Sequence, residues 1–105
     1  SLYDSFMDLL LDEPKIINSV AHYANILHTT PQNLNASCKK YTDLSASEII
    51  ANQIIKEAKR LIYYTQKSMS EIAHELGFSD KSNFSKYFKK RTGHTEGTEK
   101  VLYLG

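Results

Sequence analysis

The sequence predicts an all-α fold in which two short helical hairpins are joined by one long helix. Three features carry that expectation. Apolar residues recur at three- and four-residue spacing, capping residues open each such run, and the chain repeats itself. Alternating strand patterns, Asn-Gly hairpin turns and Gly-rich loops are missing from the sequence.

Leu2, Phe6, Leu9 and Leu10 share one face, and Pro14 follows, which predicts a first helix over about residues 2–11. Asn18 or Ser19 caps a short second helix with Val20, Tyr23, Ala24 and Leu27 on one side. Thr30-Pro31 reads as an N-cap followed by proline at the first helical position. The third helix then runs to about Tyr41, with Leu34, Cys38 and Tyr41 inward. Ser45 or Ser47 opens the longest helix, whose stripe is Ile50, Ile54, Ala58, Leu61 and Ile62 up to about Tyr64. Ile49 and Ile55 add apolar surface on a second side, as a helix packed by both halves requires. Ser68 caps a fifth helix bearing Met69, Ile72, Ala73 and Leu76, and Gly77 ends it. Asp80 caps a sixth, with Phe84, Tyr87 and Phe88 inward and Gly93 as its stop. The organisation expected is a first unit over 2–44, a linker helix over 45–66, a second unit over 67–95, and a segment 96–105 with a short helix near 97–104.

A chain of 105 residues fits one small domain, or two very small subdomains sharing a rigid element. No apolar run approaches the roughly 20 residues of a membrane span, so no membrane association is expected. The lone Cys38 excludes an internal disulfide and agrees with a reducing cytoplasm. Net charge is +1, but it is unevenly spread. Residues 1–13 carry Asp4, Asp8, Asp12 and Glu13 with no cation, whereas residues 78–94 set Lys81, Lys86, Lys89, Lys90 and Arg91 against Asp80 alone. A basic face on one part of a neutral chain is what phosphate contacts require.

The repeat defines the motif. Val20-x-x-Tyr23-Ala24-x-x-Leu27 matches Met69-x-x-Ile72-Ala73-x-x-Leu76. Thr30 then matches Ser79 or Asp80, Leu34 matches Phe84, and Cys38-Lys39-Lys40 matches Phe88-Lys89-Lys90, with the second turn one residue longer. Each copy is a short helix, a tight turn and a second helix with a polar outer face, the helix-turn-helix plan. Ala24 and Ala73 are small because the two helices of each hairpin cross closely there.

The stretch from Ser70 to Gly93 closely resembles the signature of AraC/XylS-type regulators: Ile72-Ala73, the Gly77-Phe78 turn, a polar segment, then Phe84, three residues, Phe88-Lys89 and Gly93. Glu57-Ala58-Lys59-Arg60-Leu61-Ile62 resembles the family's linker helix. The sequence departs from the pattern at Ile54, where a basic residue is common, and after Thr95, where Glu96-Gly97-Thr98-Glu99-Lys100 replaces proline and an aromatic-basic pair. The resemblance implies sequence-specific binding to double-stranded DNA in transcription regulation, RNA polymerase as a further partner, and a sensor or dimerisation domain elsewhere in the full-length protein.

Helix-turn-helix proteins present the first turns of the second helix to base edges in the major groove. With Leu34 and Cys38 inward, the base-reading candidates of the first unit are Gln32, Asn33, Asn35 and Ala36. With Phe84 and Phe88 inward, those of the second are Lys81, Ser82, Asn83, Ser85 and Lys86. Thr30, Lys39, Lys40, Lys89, Lys90 and Arg91 are the expected phosphate contacts. A linker helix of about 20 residues spans about 30 Å, the order of one DNA turn of about 34 Å.

No enzyme, cofactor or metal is expected. His74-Glu75 lacks a second histidine, since Phe78 stands four residues after His74. The alternative reading is a helical interaction module whose basic face binds an acidic protein, which salt-dependent, sequence-selective duplex binding distinguishes.

Overall fold

The computed structural model describes residues 1–104, with seven helices and no strand among them. These are α1 Leu2–Asp12, α2 Val20–Ile26, α3 Pro31–Thr42, α4 Ala46–Tyr64, α5 Met69–Glu75, α6 Lys81–Thr92 and α7 Glu96–Leu104. The expected all-α, double helix-turn-helix fold is borne out. The chain divides inside α4 into two compact units, one over residues 1–53 and one from Ile54 onward.

In the first unit α1 and α2 both pack on α3. Phe6, Leu10, Tyr23, Ala24, Leu34, Cys38, Ala46, Ile49 and Ile50 are buried. Phe6 meets Tyr23 edge-on at 5.6 Å between ring centroids. The Tyr23 hydroxyl, inside this core, accepts the Ile17 N–H at 3.0 Å, so its burial leaves no orphaned polar atom. Burial pushes the Cys38 thiol up, as befits a small apolar core residue rather than a nucleophile. Tyr41 differs from expectation. It is 54% exposed and stacks on Tyr3 of α1 at 5.5 Å, so at the last turn of α3 its ring lies against α1 at the surface instead of inside the core.

In the second unit Ala58, Leu61 and Ile62 of α4 pack with Ile72, Ala73 and Leu76 of α5 and its end, and with Phe84 and Phe88 of α6. Each fully buried phenylalanine contributes about 1.5–3 kcal/mol of transfer free energy. Tyr87 is half-buried, edge-on to Phe78 at 5.0 Å.

The two units share local devices residue for residue. Ser19 and Ser68 cap α2 and α5, and Thr30 and Asp80 cap α3 and α6. Since Thr30 therefore aligns with Asp80, the extra residue of the second turn is Ser79. Thr42 Oγ1 donates to the carbonyls of Cys38 and Leu44, and Thr92 Oγ1 to those of Phe88 and His94. His28 and Asp43 adopt positive φ of 56° and 64° where the second unit places Gly77 and Gly93, both at 88°.

The segment after Thr95, which sequence reasoning set apart from the family pattern, is an integral helix. Glu96 and Glu99 are buried in the first turn of α7, where unpaired backbone N–H groups favour negative charge. Their counterparts in the first unit are Ala46 and Ile49, so two carboxylates replace an alanine and an isoleucine.

Candidate nucleic-acid interface

The outer face of each second hairpin helix follows from what its inner face buries. Leu34 and Cys38 hold α3, and Phe84 and Phe88 hold α6, all fully buried. At helical periodicity this leaves Gln32, Asn33, Ala36, Lys39 and Lys40 exposed on α3. On α6 it leaves Lys81, Ser82, Asn83, Lys86, Lys89, Lys90 and Arg91 exposed. Thr30 is also exposed, and its Oγ1 accepts the Asn33 N–H at 3.1 Å as the cap of α3.

Two residues of the expected base-reading set are placed differently. Asn35 is half-buried, and its Oδ1 accepts the Ala46 N–H at 2.9 Å, which caps the start of α4. Ser85, its counterpart in the second unit, is half-buried and donates to Glu96 Oε1 at 2.5 Å. Both side chains tie the second hairpin helix to the helix that follows it. The sequence signal was present, since polar residues one position past an inward Leu34 or Phe84 sit at the border of the buried stripe. Asn83 is exposed, yet its side-chain amide donates to Ser79 Oγ and closes the longer turn.

The two outer faces carry different chemistry. Among the described residues α6 presents four lysines and one arginine and no carboxylate. The Arg91 guanidinium lies over the Tyr87 ring at 4.5 Å, which restricts the side chain at the helix end. The first turns of α3 present amides and Ala36, and its cations begin only at Lys39. Lys39, Lys40, Lys89, Lys90 and Arg91 also complement the negative ends of their helix dipoles.

Sequence reasoning missed the cluster around Glu99. Tyr63 Oη donates to Glu99 Oε1 at 2.6 Å, His94 Nε2 lies 2.5 Å from Oε2, and Lys59 Nζ is 3.2 Å from Oε1. The cluster binds α7 to α4 and to the turn after α6. Its only sequence signal was an acidic residue where the repeat has Ile49.

Fold and surface together define a double helix-turn-helix domain. A family model described as a helix-turn-helix domain matches residues 23–98. The uncharacterized HTH-type transcriptional regulator YobQ of Bacillus subtilis (strain 168) is 31% identical over 75 residues, 71% of this chain and 31% of that protein. The C-terminal domain of the two-component response regulator yesN from Fusobacterium nucleatum superposes with a TM-score of 0.81 at 19% identity, covering 92% of this chain and 95% of that one. The DNA-binding domain of AdpA, a global transcriptional factor solved with a target DNA, superposes with a TM-score of 0.78 at 17% identity, covering 97% and 91%. At those identities the two superpositions speak to fold alone. The chain belongs to the matched family: it is a helix-turn-helix DNA-binding domain of the AraC/XylS type, as its sequence implied. It spans between 13% and 43% of the length of the curated relatives it matches.

Proposed function

We propose that this domain binds double-stranded DNA sequence-specifically in the service of bacterial transcription regulation, with α3 and α6 as recognition helices in successive major-groove segments. The observation that carries this reading is the carboxylate-free, five-cation outer face of α6 on a helix held by Phe84 and Phe88. The two helices read different chemistry. On α3, Gln32 and Asn33 suit bidentate pairing to adenine, and Ala36 suits a thymine methyl. On α6, Lys81 and Lys86 suit guanine O6 and N7, with Ser82 and Asn83 beside them. Thr30, Lys39, Lys40, Lys89, Lys90 and Arg91 hold the phosphates and set register. Asn35 and Ser85 act on recognition indirectly, by fixing the angle to the next helix.

The full-length protein carries a sensor or dimerisation domain, works in the cytoplasm alongside RNA polymerase, and uses this domain for binding rather than catalysis. No helix among the described residues is long and apolar enough to cross a membrane.

Selection of bound duplexes from a random pool, with this domain alone, yields the site. Lys81→Ala and Lys86→Ala then weaken binding to that site more than to random duplex, each by about 1–3 kcal/mol of discrimination. Equal losses on both DNAs demote these lysines to phosphate contacts. Absence of sequence preference in the wild-type protein overturns the reading in favour of a basic protein-interaction face.

A further inference from the structure

Gly97, Val101 and Leu104 fall four and three residues apart on one side of α7, and Thr98 and Leu102 flank them. These five residues carry no charge, and Val101, Leu102 and Leu104 are 67%, 63% and 72% exposed. The helix is anchored from its other side, where Glu96 and Glu99 are buried and Tyr103 stacks on Tyr63 at 4.3 Å between ring centroids. Lys100 is half-buried at the border. The outer face is therefore not needed to hold α7 in place.

Two comparisons show that this face is unusual. In the first unit the start of α4 stands where α7 stands in the second. There Ala51 and Ile54 hold the places of Val101 and Leu104 and are buried, while Asn52, exposed, holds that of Leu102. So α7 keeps apolar residues at two positions that the first unit buries, adds a leucine where the first unit exposes an amide, and leaves all three bare. Gly97 is the second sign. A Cβ built there would meet Thr95 Oγ1 at 3.9 Å, an ordinary contact, and nothing nearer. The packing of this domain does not require a glycine at that position, and glycine weakens a helix relative to alanine. A bare stretch of backbone beside Val101 suits the close approach of another helix.

A second copy of this chain fits the face. An uncharged surface offers nothing to the charges of an acidic or basic partner, whereas two identical neutral faces meet across a two-fold axis without repulsion. The extent of the face agrees. Three such side chains expose on the order of a few hundred Å² of apolar surface, the size that marks an interaction site. That is less than the roughly 800 Å² each partner buries in a stable complex. Pairing is then weak between free domains and effective between two that already sit on one duplex, where each raises the local concentration of the other.

We infer that the outer face of α7 pairs with the same face of a second copy, so that two domains fill neighbouring DNA sites cooperatively. The cooperativity rests on the DNA-binding reading above; the pairing itself does not.

The test places two copies of the selected site on one duplex, in a series of spacings and orientations. In at least one inverted arrangement the second wild-type domain binds about tenfold tighter than the first. Val101→Asp, at an exposed position, fills the two sites independently, keeps the affinity for a single site, and melts within a few degrees of wild type. An equal mixture of Val101→Asp and Val101→Lys restores cooperativity, because opposite charges then meet across the pair. Without DNA, sedimentation at high protein concentration shows the average mass of the wild type rising and that of Val101→Asp staying monomeric. Independent filling at every arrangement, with a monomeric mass at every concentration, overturns the pairing. Cooperativity that survives Val101→Asp overturns its assignment to α7. Cooperativity lost in Val101→Asp and not restored by the mixture overturns self-pairing and leaves an unlike surface as the occupant. A wild-type protein that binds no duplex defeats the DNA-binding reading instead, and sedimentation then decides the pairing by itself.

Discussion

Tyr63 and Glu99 are joined by a 2.6 Å hydrogen bond from phenol to carboxylate, which ties the end of α4 to the first turn of α7. The Glu99 side chain is only 6% exposed. Burial works to raise its carboxyl, but hydrogen bonds from Tyr63, His94 and Lys59, with the Lys59 charge, hold it below the usual carboxylate range. The same bond pushes the Tyr63 phenol up to about 12.

A carboxylate whose pKa is lowered by folding stabilises the native state above its unfolded value of about 4.3. That contribution is lost as pH falls through the lowered folded value. Glu99→Gln, which cannot ionise, destabilises the domain at pH 7 by about 1–3 kcal/mol. The gap between wild type and variant narrows as pH is lowered from 7 toward 3, because a growing fraction of Glu99 is then protonated. Melting curves at both pH values check this, and a gap of unchanged size contradicts the assignment.

Ala73 is fully buried in the core with Phe84 and Phe88, and its carbonyl accepts the Phe78 N–H at 2.9 Å. Ala73→Leu overpacks the crossing of α5 and α6 at a cost of about 1–3 kcal/mol and tilts α6. DNA affinity then falls although no outward residue has changed. His74→Ala, at an exposed position, leaves affinity nearly intact. Wild-type melting and wild-type binding by Ala73→Leu contradict this account of the hairpin.

His28 and Gly77 end equivalent helices in the left-handed region, at φ 56° and 88°. A side chain there costs about 1–2 kcal/mol in conformational strain, part of which glycine returns as unfolded-state entropy. His28→Gly therefore stabilises the domain by about 0.5–1 kcal/mol. A Cβ added at Gly77 meets nothing within 4 Å, so Gly77→Ala destabilises through backbone strain alone. Opposite signs in denaturant titration are expected for the two substitutions.

Lys89, Lys90 and Arg91 sit in the last turn of α6, far from the helix start proposed above to read bases. Replacing any one with alanine lowers affinity uniformly across sequences and makes the log-affinity against log-salt slope shallower by about 0.9. An unchanged slope identifies a residue that is merely solvated.

The sequence by itself determined the helices, their caps and the repeat, because those depend on local spacing and on side chains within one turn of each backbone group. Ser19, Thr30, Ser68 and Asp80 cap the helices they were expected to cap, and Leu34, Cys38, Phe84 and Phe88 are buried as their spacing requires. Only the tertiary structure decided which polar residues at the edge of the buried stripe remain on the surface. Asn35 and Ser85 each sit eleven residues before a partner, Ala46 or Glu96, that returns to them after a turn. Glu99 sits 36 residues from Tyr63. Helical periodicity carries no information across such separations. A polar side chain becomes buried when another helix brings it a donor or an acceptor, and only the packed chain reveals that partner.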